Sequence, residues 1–151
     1  MSEEKTIYTI TSDRNERVFI HAMPGHFVSS SSHLNFYIGT SDIKHNHDIS
    51  VDAAMMLARY YHERGIEIDT VLCLYETIER AMESVSYYGG ETVGISAVFS
   101  AINEVDGVEV NKIFSADDVP GYQAYPPHDC PLCKGNQKVD AITNGYGYSL
   151  L

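Results

Sequence analysis

The feature that most constrains this chain is a strand–helix–strand pattern in its middle third. Val71-Leu72-Cys73-Leu74 is a continuous apolar run, the composition of a strand covered on both faces. Thr77 then stands as a helix N-cap before Ile78, Ala81, Met82 and Val85, which recur at helical spacing until Gly89-Gly90. Residues 92–101 follow, with Val93, Ile95, Ala97 and Phe99 alternating onto one face. A strand, a helix and a second buried strand predict a right-handed parallel crossover. A second amphipathic helix is expected over 50–64, capped by Ser50, ended by Gly65 and turning Val51, Ala54, Met55, Ala58 and Tyr61 inward. The predicted class is therefore α/β, a mainly parallel sheet flanked by helices.

The flanks read differently. Residues 17–23 alternate, with Val18, Ile20 and Ala22 on one face, and 35–39 carry the aromatic and β-branched content of a short strand. Residues 6–10 alternate more weakly. Asp106-Gly107 between Val105 and Val108 is a hairpin signal, so 108–114 is expected to return antiparallel. From 116 onward the chain is rich in Pro, Gly and Tyr and reads as an ordered but irregular tail. With 151 residues, 44% of them hydrophobic, the chain suits a single domain with one core.

Charge narrows the partners. Ten basic residues against 21 acidic ones leave a net charge of −11. The clustered cations that neutralise nucleic-acid phosphates or meet an anionic membrane are missing. No apolar stretch approaches the roughly 18 residues of a spanning helix, and the polar start lacks a secretion signal. Three cysteines, an odd number, fit a reducing compartment, so a cytoplasmic location is expected.

Several clusters offer chemistry. Ser29 to Ser32 before His33 can present hydroxyls and amides to an anion, or form a solvated turn. Five of the seven histidines lie between His21 and His47. Of these, His45 and His47 offer two imidazoles to a metal, or are plain loop residues before a helix. Asp117-Asp118 can hold ribose hydroxyls or Mg²⁺, or belong to a turn. His128-Asp129-Cys130-Pro131-Leu132-Cys133 contains half of a structural zinc site. His128, His26, His33 or a second subunit are the groups that would complete it, and two structural thiols are the alternative. A redox role is disfavoured because no thioredoxin-like βαβ pattern flanks the pair.

Phe27-Val28-Ser29-Ser30-Ser31-Ser32-His33-Leu34-Asn35-Phe36-Tyr37-Ile38 resembles the N-terminal hood segment of orotate phosphoribosyltransferases. The following helix and strand, the strand with its Asp-Gly hairpin and the Cys-Pro-x-Cys tail extend the resemblance over most of the chain from Val18. It implies a type I phosphoribosyltransferase fold, divided into a hood (1–48), an α/β core (49–115) and a tail (116–151). The activity implied is glycosyl transfer in nucleotide metabolism, from phosphoribosyl pyrophosphate to a pyrimidine base, with Mg²⁺ as cofactor and a homodimer as assembly. Ser30, Ser31, Ser32, His33 and Thr77 would then lie at the substrate, and Phe36 and Tyr37 against the base. The family's acidic-pair phosphate loop is missing, which suggests a segment absent between about Tyr75 and Ile78. A non-catalytic nucleobase- or nucleotide-binding relative is one alternative reading. A structural or zinc-dependent interaction protein using the Cys-x-x-Cys tail is the other.

Overall fold

A computed structural model describes residues 6–72, 78–144 and 147–151. Three strands open the chain: β1 (Tyr8–Ser12), the long β2 (Asn15–Val28) and β3 (His33–Gly39). Two helices follow, α1 (Ser41–His45) and α2 (His47–Glu63), and then α3 (Ile78–Tyr87). Strands β4 (Ile95–Ser100), β5 (Glu104–Val105) and β6 (Val108–Ser115) form a small second sheet. The tail carries β7 (Ala124–Tyr125), the one-turn helix α4 (Pro131–Lys134), β8 (Ala141–Asn144) and β9 (Gly147–Leu150).

The sheets overturn the expected class. The larger one runs β7-β3-β2-β8-β9, with β1 also paired to β2. Its pairings are antiparallel except β2 with β8. The smaller runs β4-β6-β5, parallel at β4–β6 and antiparallel at β5–β6. The fold is thus mixed α/β with mostly antiparallel sheets, not a parallel sheet flanked by helices. The expected first strand of the crossover explains the error: Val71 is 74% exposed and Leu72 56%, and neither lies in a strand. An apolar run fixes no secondary structure when nothing covers it. Cys73, Leu74, Tyr75 and the proposed cap Thr77 lie outside the described residues, as does most of the join expected to lack a segment.

Elsewhere local pattern and fold agree in part. Val18, Ile20 and Ala22 are fully buried on one face of β2, each of the larger two contributing about 1.5–3 kcal/mol. They pack with Ile43 of α1, Ala53 and Met56 of α2, Phe114 of β6 and Val119. Helix α2 starts earlier than expected, because Asn46 rather than Ser50 caps it, its side chain accepting from the Asp48 and Ile49 amides. Its inward face is also rotated: Ala53, Met56 and Tyr61 are buried, while Val51 and Met55 are exposed. Two apolar stripes overlap on this helix, and the sheet takes the one carrying Met56. The Asp106-Gly107 hairpin forms as expected, but its partner is the short β5, so β6 runs parallel to β4. The chain reverses twice between β4 and β6, once at 101–103 and once at the Asp-Gly turn.

Candidate metal centre

The bulge in β2 creates the site. Between Pro24 and Phe27 the register with β3 shifts, so Gly25 and His26 oppose the single residue Asn35. Such a bulge re-aims one side chain, and here the His26 ring is fully buried. His33, where β3 begins, closes the other arm of the same hairpin. Between them Ser29 forms the turn: its hydroxyl accepts from the amides of Ser32 (3.0 Å) and Ser31 (3.4 Å) and donates to the Ser32 carbonyl (3.0 Å). The Ser31 and Ser32 amides are thus engaged by Ser29, and the turn they close brings the two imidazoles together.

The tail delivers the other half. Cys130 precedes the turn of α4 and Cys133 lies within it. Asn136, in left-handed conformation (φ 55°), turns the chain back, and the Gln137 amide bonds the Leu132 carbonyl. That reversal carries the Gln137 carbonyl to 2.9 Å from His26 Nδ1. A carbonyl only accepts, so Nδ1 bears the proton and Nε2 is left bare as a ligand atom. Asp140 secures the same residue, its carboxylate accepting from the His26 amide at 2.7 Å and its own amide donating to the His26 carbonyl at 2.8 Å.

Around His26 Nε2 the geometry is specific. His33 Nδ1 lies 3.0 Å away, Cys130 Sγ 3.7 Å and Cys133 Sγ 3.7 Å, and Cys133 Sγ is 3.3 Å from His33 Nδ1. All four atoms lie within 4.8 Å of one another. With Zn–N near 2.0 Å and Zn–S near 2.3 Å, tetrahedral corners fall about 3.3 Å (N to N) and about 3.5 Å (N to S) apart. The three N–S distances fall on either side of that edge, and the N–N distance of 3.0 Å falls a little short of its own. Desolvation by the surrounding atoms, then the neighbouring Cys130 thiol, raises the thiol of the exposed Cys133 above its ordinary pKa. A cation at the centre would oppose both effects by stabilising thiolate. Among the described residues this is the one cluster of three or more His, Cys, Asp or Glu side chains placed to hold a metal.

The other expected site residues are dispersed. Phe36 packs toward the core with Ile38. Tyr37 contacts Phe27 and Tyr148, ring centroids 5.9 and 4.8 Å away, and partial burial with the Tyr148 phenol raises its pKa. Ser30 and Ser31 are exposed, and Ser32 is half-buried. Asp118 accepts from the Ser115 amide at 2.7 Å and so belongs to a turn. His128 lies outside the four-ligand cluster, and so do His45 and His47. The open groove of about 370 Å³ along α2, lined by Arg17, His47, Asp48, Val51 and Asp52, includes none of Ser30, Ser31, Ser32, His33, Phe36 and Tyr37. The sequence supplied His26 and His33 only as two among several partners for the cysteines. The signal that singles them out is the short hairpin between them.

Fold and site together define a mixed α/β domain whose irregular tail meets a β-hairpin at a Cys₂His₂ cluster. In comparisons with known proteins, no family model, no curated sequence and no solved structure matches this chain. Among the described residues no helix is long and apolar enough to cross a membrane.

Proposed function

We propose that His26, His33, Cys130 and Cys133 bind one Zn²⁺ and that the protein is a zinc-stapled interaction module. The observation that carries this is the convergence of two soft sulfurs and two imidazole nitrogens at tetrahedral spacing. Two thiolates and two imidazoles suit zinc. Four protein ligands leave no position for a water or a substrate, so the metal's role is architectural. It ties the tail to the hairpin across sequence separations of 100 to 107 residues for the contacts Cys133–His33, Cys130–His26 and Cys133–His26. With a net charge of −11, the partner that fits is a neutral or basic protein surface, not nucleic acid.

The test is elemental analysis of the full chain purified without added metal, followed by cobalt substitution. One zinc per chain and the visible absorption of a tetrahedral cobalt–thiolate site are expected, both lost in Cys130→Ser and His26→Ala. A metal-free protein whose unfolding ignores added zinc would refute the reading. Calorimetry with phosphoribosyl pyrophosphate and Mg²⁺, then orotate, tests the rival: saturable binding with turnover would select the phosphoribosyl reading.

A further inference from the structure

The four ligands are unequally protected. His26 and Cys130 are 0% and 1% exposed, His33 is half-buried, and Cys133 is exposed. The centre therefore has an inner pair sealed in the fold and an outer edge that a small reagent can reach. Apart from the centre, the tail meets the hairpin through hydrogen bonds of His26 with Gln137 and Asp140, of Val28 with Thr143 and of Asn35 with Gly121 and Gln123, and through two short strand pairings. Strand β7 pairs with the hairpin only through His33↔Tyr125 and Leu34↔Ala124, and β8 only through Phe27↔Ala141 and Val28↔Ile142. These two short pairings grip opposite edges of the hairpin tip, with the ligand histidines beside them.

We propose, resting on the zinc reading, that this centre is a redox latch: a peroxide opens it at Cys133, and the tail then lets go of the β2–β3 tip. The Cys133 sulfur attacks one peroxide oxygen, the O–O bond breaks, and a sulfenic acid and one hydroxide result. The Cys130 sulfur then attacks the Cys133 sulfur, an S–S bond forms and a second hydroxide leaves. Two electrons pass from the thiolate pair to the peroxide, and Zn²⁺ departs because both its sulfur ligands are consumed. Helical spacing favours the closure, since Cys130 and Cys133 stand three residues apart around one turn with their sulfurs within 4.8 Å. Reduction and zinc restore the latch. Tail release uncovers the edges of β2 at Phe27–Val28 and of β3 at His33–Leu34, a template for a partner strand.

The experiment treats zinc-loaded full-length Cys73→Ser protein with hydrogen peroxide, the substitution removing the third thiol. Zinc release is followed with a chromogenic chelator, the cysteines by peptide mapping, and the backbone by hydrogen exchange. Expected are one zinc lost per chain, a Cys130–Cys133 disulfide, and lost protection in peptides spanning 24–36, 122–126 and 139–144. Dithiothreitol with zinc should reverse all three. Cys133→His keeps four ligands and should retain its zinc under the same peroxide. Zinc retained in excess peroxide, release without that disulfide, or equal sensitivity of Cys133→His overturns the latch and leaves the zinc reading standing. A protein that carries no zinc at the outset overturns both. Should Cys133→His fail to fold, the disulfide map of the Cys73→Ser protein decides alone.

Discussion

Removing the Asp140 carboxylate should loosen the tail measurably, and the structure sets the size. In Asp140→Ala the His26 amide loses an acceptor 2.7 Å away, in a residue with no exposure to water. A hydrogen bond to a charged group contributes about 1.5–3 kcal/mol, and an orphaned buried donor costs about 1–3 kcal/mol. The two overlap, so about 2–3 kcal/mol is expected in all. For a chain of this size each kcal/mol moves the melting midpoint about 2–4 °C, giving a fall of about 4–12 °C in the zinc-loaded protein. Asp140→Asn keeps a neutral carbonyl acceptor and should lose only about 1 kcal/mol, roughly 2–4 °C. Because the same bond places His26, zinc affinity in Asp140→Ala should drop about tenfold, the lower end of what outer-shell partners contribute. The assays are thermal unfolding by circular dichroism and competition with a zinc chelator. An Asp140→Ala protein melting within about 1 °C of the parent, or an Asn variant as weak as the Ala variant, would refute the assigned role.

Other expectations are as concrete. Chelation of zinc present at 100–1,000 times its dissociation constant should remove about 2.7–4.1 kcal/mol of stability, read as a drop in melting midpoint that added zinc restores. Gly94→Ala would place a methyl 2.6 Å from Tyr61 Oη and 2.9 Å from its Cζ, against a buried ring hydrogen-bonded to Ser96 at 2.9 Å. A loss of about 1–3 kcal/mol in denaturant titration follows. Asn46→Ala removes the α2 cap and should cost about 1 kcal/mol without changing zinc content. Burial holds the Tyr122 phenol above its ordinary pKa. Its stabilising share is thus complete below about pH 10 and lost as pH rises through the higher folded value. Tyr122→Phe should flatten the alkaline limb of the stability profile.

Some of this molecule was legible because the cause was local. The alternation in β2 survives because Val18, Ile20 and Ala22 need a single buried face, which period-two geometry supplies whatever the partner. The Asp-Gly turn formed because positive φ at Asp106 and Gly107 depends on the residues in the turn themselves. Helix α2 shows where locality ends. Its position was readable, but which of two overlapping apolar stripes faces inward was decided by β2 and β6. The run at 71–72 shows the converse, since hydrophobicity without a covering surface formed no strand.

The same division runs through the Cys₂His₂ cluster. The sequence determined the Cys130–Cys133 spacing, the serine turn and the histidines on either side of it, all set by neighbours a few residues apart. Only the tertiary structure decided that His26 and His33, and not His128, His45 or His47, complete the set. That choice depends on a bulge turning His26 inward and on Gln137 and Asp140 reaching it from the far end of the chain. Contacts over such separations are selected by the shape of the whole fold, which spacing along the sequence does not encode.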